Sequence, residues 1–449
     1  MVAPLSLRAD EKEEMMLIRK GASAAALVAT AFAFAMPASA TDGHFLHGVG
    51  AVNSAMGGAG IAAPGDLMGS MYLNPAGLST VDGTRVAFGF EMFKPSRSVE
   101  SNLPGFGGGL TDSKSEFVPI PSFGISAKAG DNWTIGVAGL GIGGFGVDYP
   151  STPNNPILGA RPNGFGQVYS NFSLMKIMPA VALQATDRLS LGVAFNLDWA
   201  SLSVDPMPIG APTVTQGPQG PQAFYSRATA ADGAFGVGVQ AGLLFEATDY
   251  LALGLAYTST QRFQDFEFNS MNENPNSNGF GQSREIKFAM DVPAVYGAGA
   301  ALELGEAALV TADARFITYS TTDGFADSGF NPDFSVAGFG WDDIWVGAFG
   351  LELRPASNWA VRGGYNYSQN PIPHEWAAIN VPAPAIVQHH LTGGFGFRAG
   401  NGLGVDLAVY HAFENDCHGP FQTAFGEMDV TSRLSETSLL MQFSFAHNN

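Results

Sequence analysis

The sequence predicts an all-β fold, an antiparallel transmembrane β-barrel of about fourteen strands plugged by an N-terminal hatch, and three observations predict it. From Thr84 onward, apolar residues alternate with small or polar ones over segments of roughly ten to fifteen residues, which is the period of a strand. Short turns and long polar loops then alternate between these segments. Finally, only 14% of the 449 residues are charged, 57 are glycine, and the mean hydropathy is +0.09. A soluble domain carries more charge and less glycine. No window after residue 40 holds the run of about eighteen apolar residues that a spanning helix needs.

The elements follow in chain order. Residues 1–40 read as a signal peptide, because Arg19 and Lys20 precede an apolar run over 22–36 and PASA at 37–40 supplies a small-residue cleavage pattern. Met15 or Met16 reads as the translation start, since the acidic ADEKEE stretch ahead of it does not suit such a leader. Residues 41–82 do not alternate and are rich in glycine and alanine. They would suit neither water nor lipid, whereas a fourteen-strand barrel leaves a lumen that its own side chains cannot fill. This segment is therefore expected to be a hatch inside the barrel. Residues 83–449 are expected to form the wall. In LSLGVAFNLDWA, for example, Leu191, Val193, Phe195 and Leu197 fall on one face and Asn196 and Asp198 on the other.

Short turns are expected at 130–132, 186–188, 247–249, 305–306, 355–358 and 400–402. Long loops are expected near 96–117, 148–169, 205–227, 269–283, 319–341, 367–385 and 415–431. An even strand number puts both termini at the short-turn end, which is the periplasmic end of an outer-membrane barrel. TSLLMQFSF reads as the last strand, with Leu439, Met441, Phe443 and Phe445 outward. It must pair with the first strand, because lipid cannot satisfy an open sheet edge.

The formal charge of −19 argues against nucleic acid as a partner. The single cysteine, Cys417, excludes an intramolecular disulfide. No GxSxG occurs and the eight histidines are scattered, so no enzyme is expected. His44 and His47 lack a third nearby ligand and read as hatch packing rather than a metal site; His389 and His390 point to opposite faces of a strand. No cofactor or metal is expected. The inward-pattern cations Lys176, Arg315, Arg362 and Arg398, with Asp198, Asp313 and Asp406, are expected to form lumen pairs that hold the plug. Their functional alternative is contact with a ligand carboxylate. An open aqueous porin is the competing reading, but it would show a charged constriction and no apolar hatch.

TDGHFLHGVGAVNSAMGGAG, then MYLNPAGLS, then RVAFGFEMFKP resembles the FadL/TodX family of outer-membrane transporters for long-chain fatty acids and aromatic hydrocarbons. The resemblance runs to Phe445, and Asn74, Pro75 and Ala76 match the NPA mark of the family's hatch. It implies passive, hatch-gated diffusion of a hydrophobic small molecule, with Phe45, Leu46, Val49, Asn74, Pro75 and Ala76 along the path. GLGIGGFGVDYP looks like the family's third strand, in which an inward kink opens the wall laterally; by position the kink maps to Gly143 and Gly144. The loops after strands five and seven, which form the capture groove in fatty-acid members, are read here as short and rich in Pro or Asn. The implied surroundings are outer-membrane lipid, lipopolysaccharide and the barrel assembly machinery, with the chain acting as a monomer.

Overall fold

In lipid an alternating sequence satisfies its backbone only by pairing into a closed sheet. The computed structural model, which describes residues 42–114, 117–217, 220–400 and 402–447, shows one. The proposed signal peptide lies outside the described residues. Fourteen strands form the wall: β1 (Thr84–Leu103), β2 (Val118–Lys128), β3 (Trp133–Tyr149), β4 (Val168–Thr186), β5 (Leu189–Asp205), β6 (Ala228–Glu246) and β7 (Leu251–Thr258), then β8 (Val295–Leu304), β9 (Ala308–Ile317), β10 (Ile344–Ala356), β11 (Trp359–Ser368), β12 (His389–Arg398), β13 (Leu403–Thr423) and β14 (Gly426–His447). Each pairs antiparallel with the next, and β14 pairs with β1 to close the barrel.

The two faces separate as the alternation requires. On β5, Leu191, Val193, Phe195 and Leu197 are exposed while Asn196 and Asp198 are buried. On β14, Leu439, Met441, Phe443 and Phe445 face out. Outward aromatic pairs sit at both rims: Trp359 and Phe397 beside a short turn, Phe316 and Trp345 beside a long loop. Amphipathic rings suit the two membrane interfaces.

The connections depart from expectation in three places. β1, β13 and β14 run on through the segments read as loops at 96–117 and 415–431, because the polar residues there keep pairing as a tall hairpin above the wall. Gly107–Asp112 also folds back onto β1. The connection over 259–294, after β7, is not short; it is the longest of all. Its hairpin, Phe266–Met271 with Ser283–Phe288, buries Phe266, Phe268, Ile286 and Phe288. The connection over 206–227 likewise carries a hairpin, Thr213–Gly217 with Gly220–Phe224. Counting Pro and Asn flagged loops but could not show that apolar residues among them fold inward.

Residues 42–82 lie inside the barrel as two short helices, α1 (Ala51–Ala55) and α2 (Leu67–Leu73), followed by a 3-10 turn, Pro75–Thr80. Almost every one of their apolar side chains is buried. Asp66 caps α2 by accepting from the Gly69 N–H, the expected use of an Asp at that position.

Candidate functional site

The NPA turn fastens the hatch to the wall. Asn74 Oδ1 accepts from the Ala76 N–H at 3.1 Å, and its amide donates to the carbonyls of Ile61 at 2.8 Å and Leu243 at 3.1 Å. One side chain therefore ties its own turn, the hatch floor and β6. The turn lies so close to the wall that a Cβ on Gly192 or Gly242 would collide with it. Glycine at both wall positions makes that approach possible.

The hatch also meets the wall at β3. This strand alternates between exposed and buried residues from Trp133 to Ala138 and is then buried without a break to Val147. An irregularity between Gly141 and Gly143 carries it inward, beside the expected kink. β2 pairs with β3 only from Ser122 opposite Leu140 to Lys128 opposite Thr134. Residues 118–121 of β2 pair with β1 alone, so the wall has an unpaired seam. The hatch fills it: the His44 carbonyl accepts from the Gly144 N–H at 2.9 Å, and the Leu46 N–H donates to the Ile142 carbonyl at 2.9 Å. A Cβ at Gly143 would strike the His44 carbonyl. A crevice of about 10 Å³, roughly one water, lies among Leu46, Val49, Ile120, Gly141 and the outward-facing Phe90 and Met441.

The inward charges divide into two groups. Arg315 binds the Asp42 carboxylate at 2.9 Å and donates to the His47 carbonyl at 3.3 Å, and Asp313 accepts from the Gly60 and Ile61 N–H groups at 2.7 and 2.9 Å. Both hold the plug. Lys176 instead faces Asp198 at 3.8 Å, and Arg362 and Arg398 share Asp406, Arg362 also binding Glu352. These pairs lie within the wall. The hatch is held in their place by neutral groups that charge counting passes over: Gln442 accepts from the Ala51 N–H, Thr392 donates to the Ala55 carbonyl, and Gln240 donates to the Tyr72 carbonyl.

The chain that builds this plugged fourteen-strand wall, with its NPA turn and hatch-filled seam, matches one family model over residues 23–443, described as outer membrane protein transport protein (OMPP1/FadL/TodX). The chain belongs to this family. Solved structures similar to it include the Pseudomonas putida toluene transporter TodX, at 20% identity and a TM-score of 0.67 over 90% of this chain and 99% of that one. A Pseudomonas aeruginosa FadL homologue aligns at 15% identity and a TM-score of 0.70, over 90% and 99%. The Ralstonia pickettii toluene transporter TbuX aligns at 20% and 0.62, over 89% and 99%. No curated relative matches the sequence. Membership makes the chain an outer-membrane transport barrel, not an enzyme.

Within this FadL/TodX barrel a chamber of about 60 Å³ lies against the hatch. Phe45, Ile61, Ile142, Met178 and Ile317 line it, with Lys176 and Arg315 at its edge. On the loop side Tyr319, Phe325 and Trp341 close over His44. Sequence reading missed these aromatics because they sit in a connection, where periodicity carries no signal. It also missed Pro119 and Pro121 in the part of β2 that has no partner on β3, although proline, which lacks an N–H, marks a strand edge. His47 stacks on His390 and meets the edge of Tyr410, while His389 faces outward. Burial holds the imidazoles of His44 at about 3 and His47 at about 4.

Proposed function

We propose that this chain carries small hydrophobic compounds across the outer-membrane surface by passive diffusion, gated by the hatch and released sideways through the β2–β3 seam. One observation carries the reading: Phe45 and Ile142 line the apolar chamber and also belong to the contact that seals the seam. Moving the hatch end therefore enlarges the chamber and unseals the wall together. The resting chamber is smaller than the roughly 150 Å³ cavity that admits a benzene ring. Ligand can occupy it only when that end moves. Leu46 and Val49 lie along the same route, at the crevice between hatch and seam.

The solved relatives named toluene transporters favour an uncharged hydrocarbon as ligand. Charge supports this, since Arg315, Arg362 and Arg398 already have carboxylate partners at 2.8–2.9 Å. A fatty acid is the second reading, favoured by Lys176, which lines the chamber and holds its partner Asp198 at only 3.8 Å. The short-turn end and both termini are assigned to the periplasm on loop asymmetry.

The test is uptake of labelled toluene and labelled long-chain fatty acid by a Gram-negative host lacking its own channel of this family. Expression should raise toluene uptake, and Lys176→Met should leave it intact. Fatty-acid uptake that exceeds toluene uptake and falls with Lys176→Met would establish the second reading. A large steady ionic current with no hydrophobe uptake would establish a porin.

A further inference from the structure

We propose that the aromatic box that Phe172, Tyr319, Phe325 and Trp341 build around His44 is a binding site for a planar aromatic ring, and that His44 is its resting occupant. The proposal rests on the transport reading above and narrows its ligand class.

The geometry is that of a held ring. The imidazole stacks on Phe325 with centroids 5.2 Å apart and planes 10° from parallel, and on its chain neighbour Phe45 at 4.3 Å and 29°. Tyr319 meets it edge-on at 5.5 Å and 65°, and Phe172 and Trp341 lie tilted at 6.1 and 6.3 Å. Offset stacking with edge contacts around the rim is how aromatic rings attract one another. All these side chains are buried. A flat hydrocarbon ring would find the Phe325 stacking partner and the Tyr319, Phe172 and Trp341 rings, whereas a straight alkane would use only the apolar area.

Two features mark His44 as a stand-in rather than an ordinary core residue. Its Nδ1 is tied to the Tyr319 hydroxyl at 2.9 Å, but its buried Nε2 has no hydrogen-bond partner among the described residues. An unsatisfied buried polar atom is costly, and a ring without nitrogen removes that cost. Its ring is also neutral, because burial holds the imidazole pKa near 3. The four walls named in the proposal come from β4 and the 318–343 connection, not from the hatch. They stay when the hatch end leaves.

Occupancy is coupled to the seam through one residue. The His44 carbonyl accepts the Gly144 N–H and its amide donates to the Tyr319 hydroxyl at 3.1 Å. A ring that displaces the imidazole withdraws the group that seals β3. The apparent affinity of such a ligand is reduced by the fraction of molecules in which His44 is docked.

The experiment measures toluene and n-heptane binding to the purified full-length barrel in detergent. His44→Ala empties the box and should tighten toluene binding about tenfold, the scale of one stacked ring and one hydrogen bond, while n-heptane gains far less. Free imidazole should compete with toluene in this variant. Tyr319→Phe keeps the ring wall and removes the tether; it should tighten toluene binding severalfold, and it decides the matter if His44→Ala fails to fold. Unchanged or weaker toluene binding in a folded variant, or an equal gain for n-heptane, overturns the box. If the parent protein still takes up toluene in cells under that outcome, only the box has failed and the transport reading stands.

Discussion

Strand β1 meets β14 in an unbroken ladder from Thr84 opposite His447 to Asn102 opposite Asp429, whereas β2 leaves β3 unpaired beyond Ser122 opposite Leu140. Both seams lie in the same closed wall, and their residues differ as their pairing does. The complete seam presents Phe88, Phe90 and Met92 against Phe443, Met441 and Leu439, the apolar cross-strand pairs that stabilise a sheet. The interrupted seam sets Pro119 and Pro121 against a strand studded with glycine. What the ladder omits there, the hatch supplies, through the His44 carbonyl and the Leu46 N–H. The lesson is that strand pairing alone closes the wall at the β1–β14 seam, whereas at the β2–β3 seam part of the closure comes from a segment of the hatch.

The strongest way to break this comparison is to crowd the interrupted seam. With Gly143→Val and Gly144→Val together, the new Cβ at Gly143 meets the His44 carbonyl, and Gly144, at φ 156°, sits where a branched residue is strained. Overpacking of ~1–3 kcal/mol should drive β3 back toward the ladder and lower hydrophobe uptake by roughly tenfold or more, with heat-resistant barrel assembly intact. The matched pair Met92→Val and Leu439→Val on the complete seam should leave uptake at the parent rate. Equal loss at both seams would remove the distinction.

A smaller effect is expected where the hatch is stapled rather than sealed. Asp313→Ala removes the acceptor for the Gly60 and Ile61 N–H groups, bonds to a charged group worth ~1.5–3 kcal/mol each. Hatch undocking should become visible as brief conductance openings in planar bilayers, while the ladder from β13 through β1 keeps its stability to heat. A silent variant would mean that the neutral ties of Asn74, Gln442 and Thr392 suffice. Smaller again is Pro119→Val with Pro121→Val, which restores two N–H donors to β2. Uptake should fall a fewfold as the seam gains partners. No change would show that the bulge at β3, and not the edge of β2, keeps the seam apart.

Much of the wall was legible in the sequence because one face of each strand meets lipid and the other the lumen, so Leu191, Val193, Phe195 and Leu197 declare their direction by alternation alone. The short turns were legible for the same reason. The tall β13–β14 hairpin was not, since above the membrane a strand needs no apolar face, and polar residues such as Asn415 and Asp416 pair there without any periodic signature. The inward cations were found together with Asp198 and Asp406, the carboxylates that pair with Lys176, Arg362 and Arg398, but nothing in the order of residues tells that Arg315 reaches Asp42 of the hatch. The aromatic box was invisible because Tyr319, Phe325 and Trp341 converge only when their connection folds over the hatch.

The finest distinction between the two seams is their response to acid. Burial lowers the imidazole pKa of His44 and His47 from 6.5 to about 3 and about 4, and raises the Asp42 carboxyl from 3.8 to about 6 despite Arg315 beside it. For the histidines, the undocked hatch binds more protons than the docked one at any pH between these values and 6.5, so docking weakens as pH falls through that window. Asp42 acts in the opposite sense, because between pH 3.8 and about 6 the docked state holds the extra proton. Within residues 42–47, the end that seals the seam, two histidines begin to lose from 6.5 downward while the one carboxyl gains only below about 6, so there the histidines win over the upper part of the range. The hatch-filled seam should therefore show more frequent conductance openings at about pH 5 than at about pH 7.5, and substituting His47→Phe should flatten part of that rise. The β1–β14 ladder should keep the same resistance to heat at both values. Fewer openings at the lower pH would mean that the Asp42–Arg315 pair, not the buried imidazoles, sets how firmly the hatch end is held.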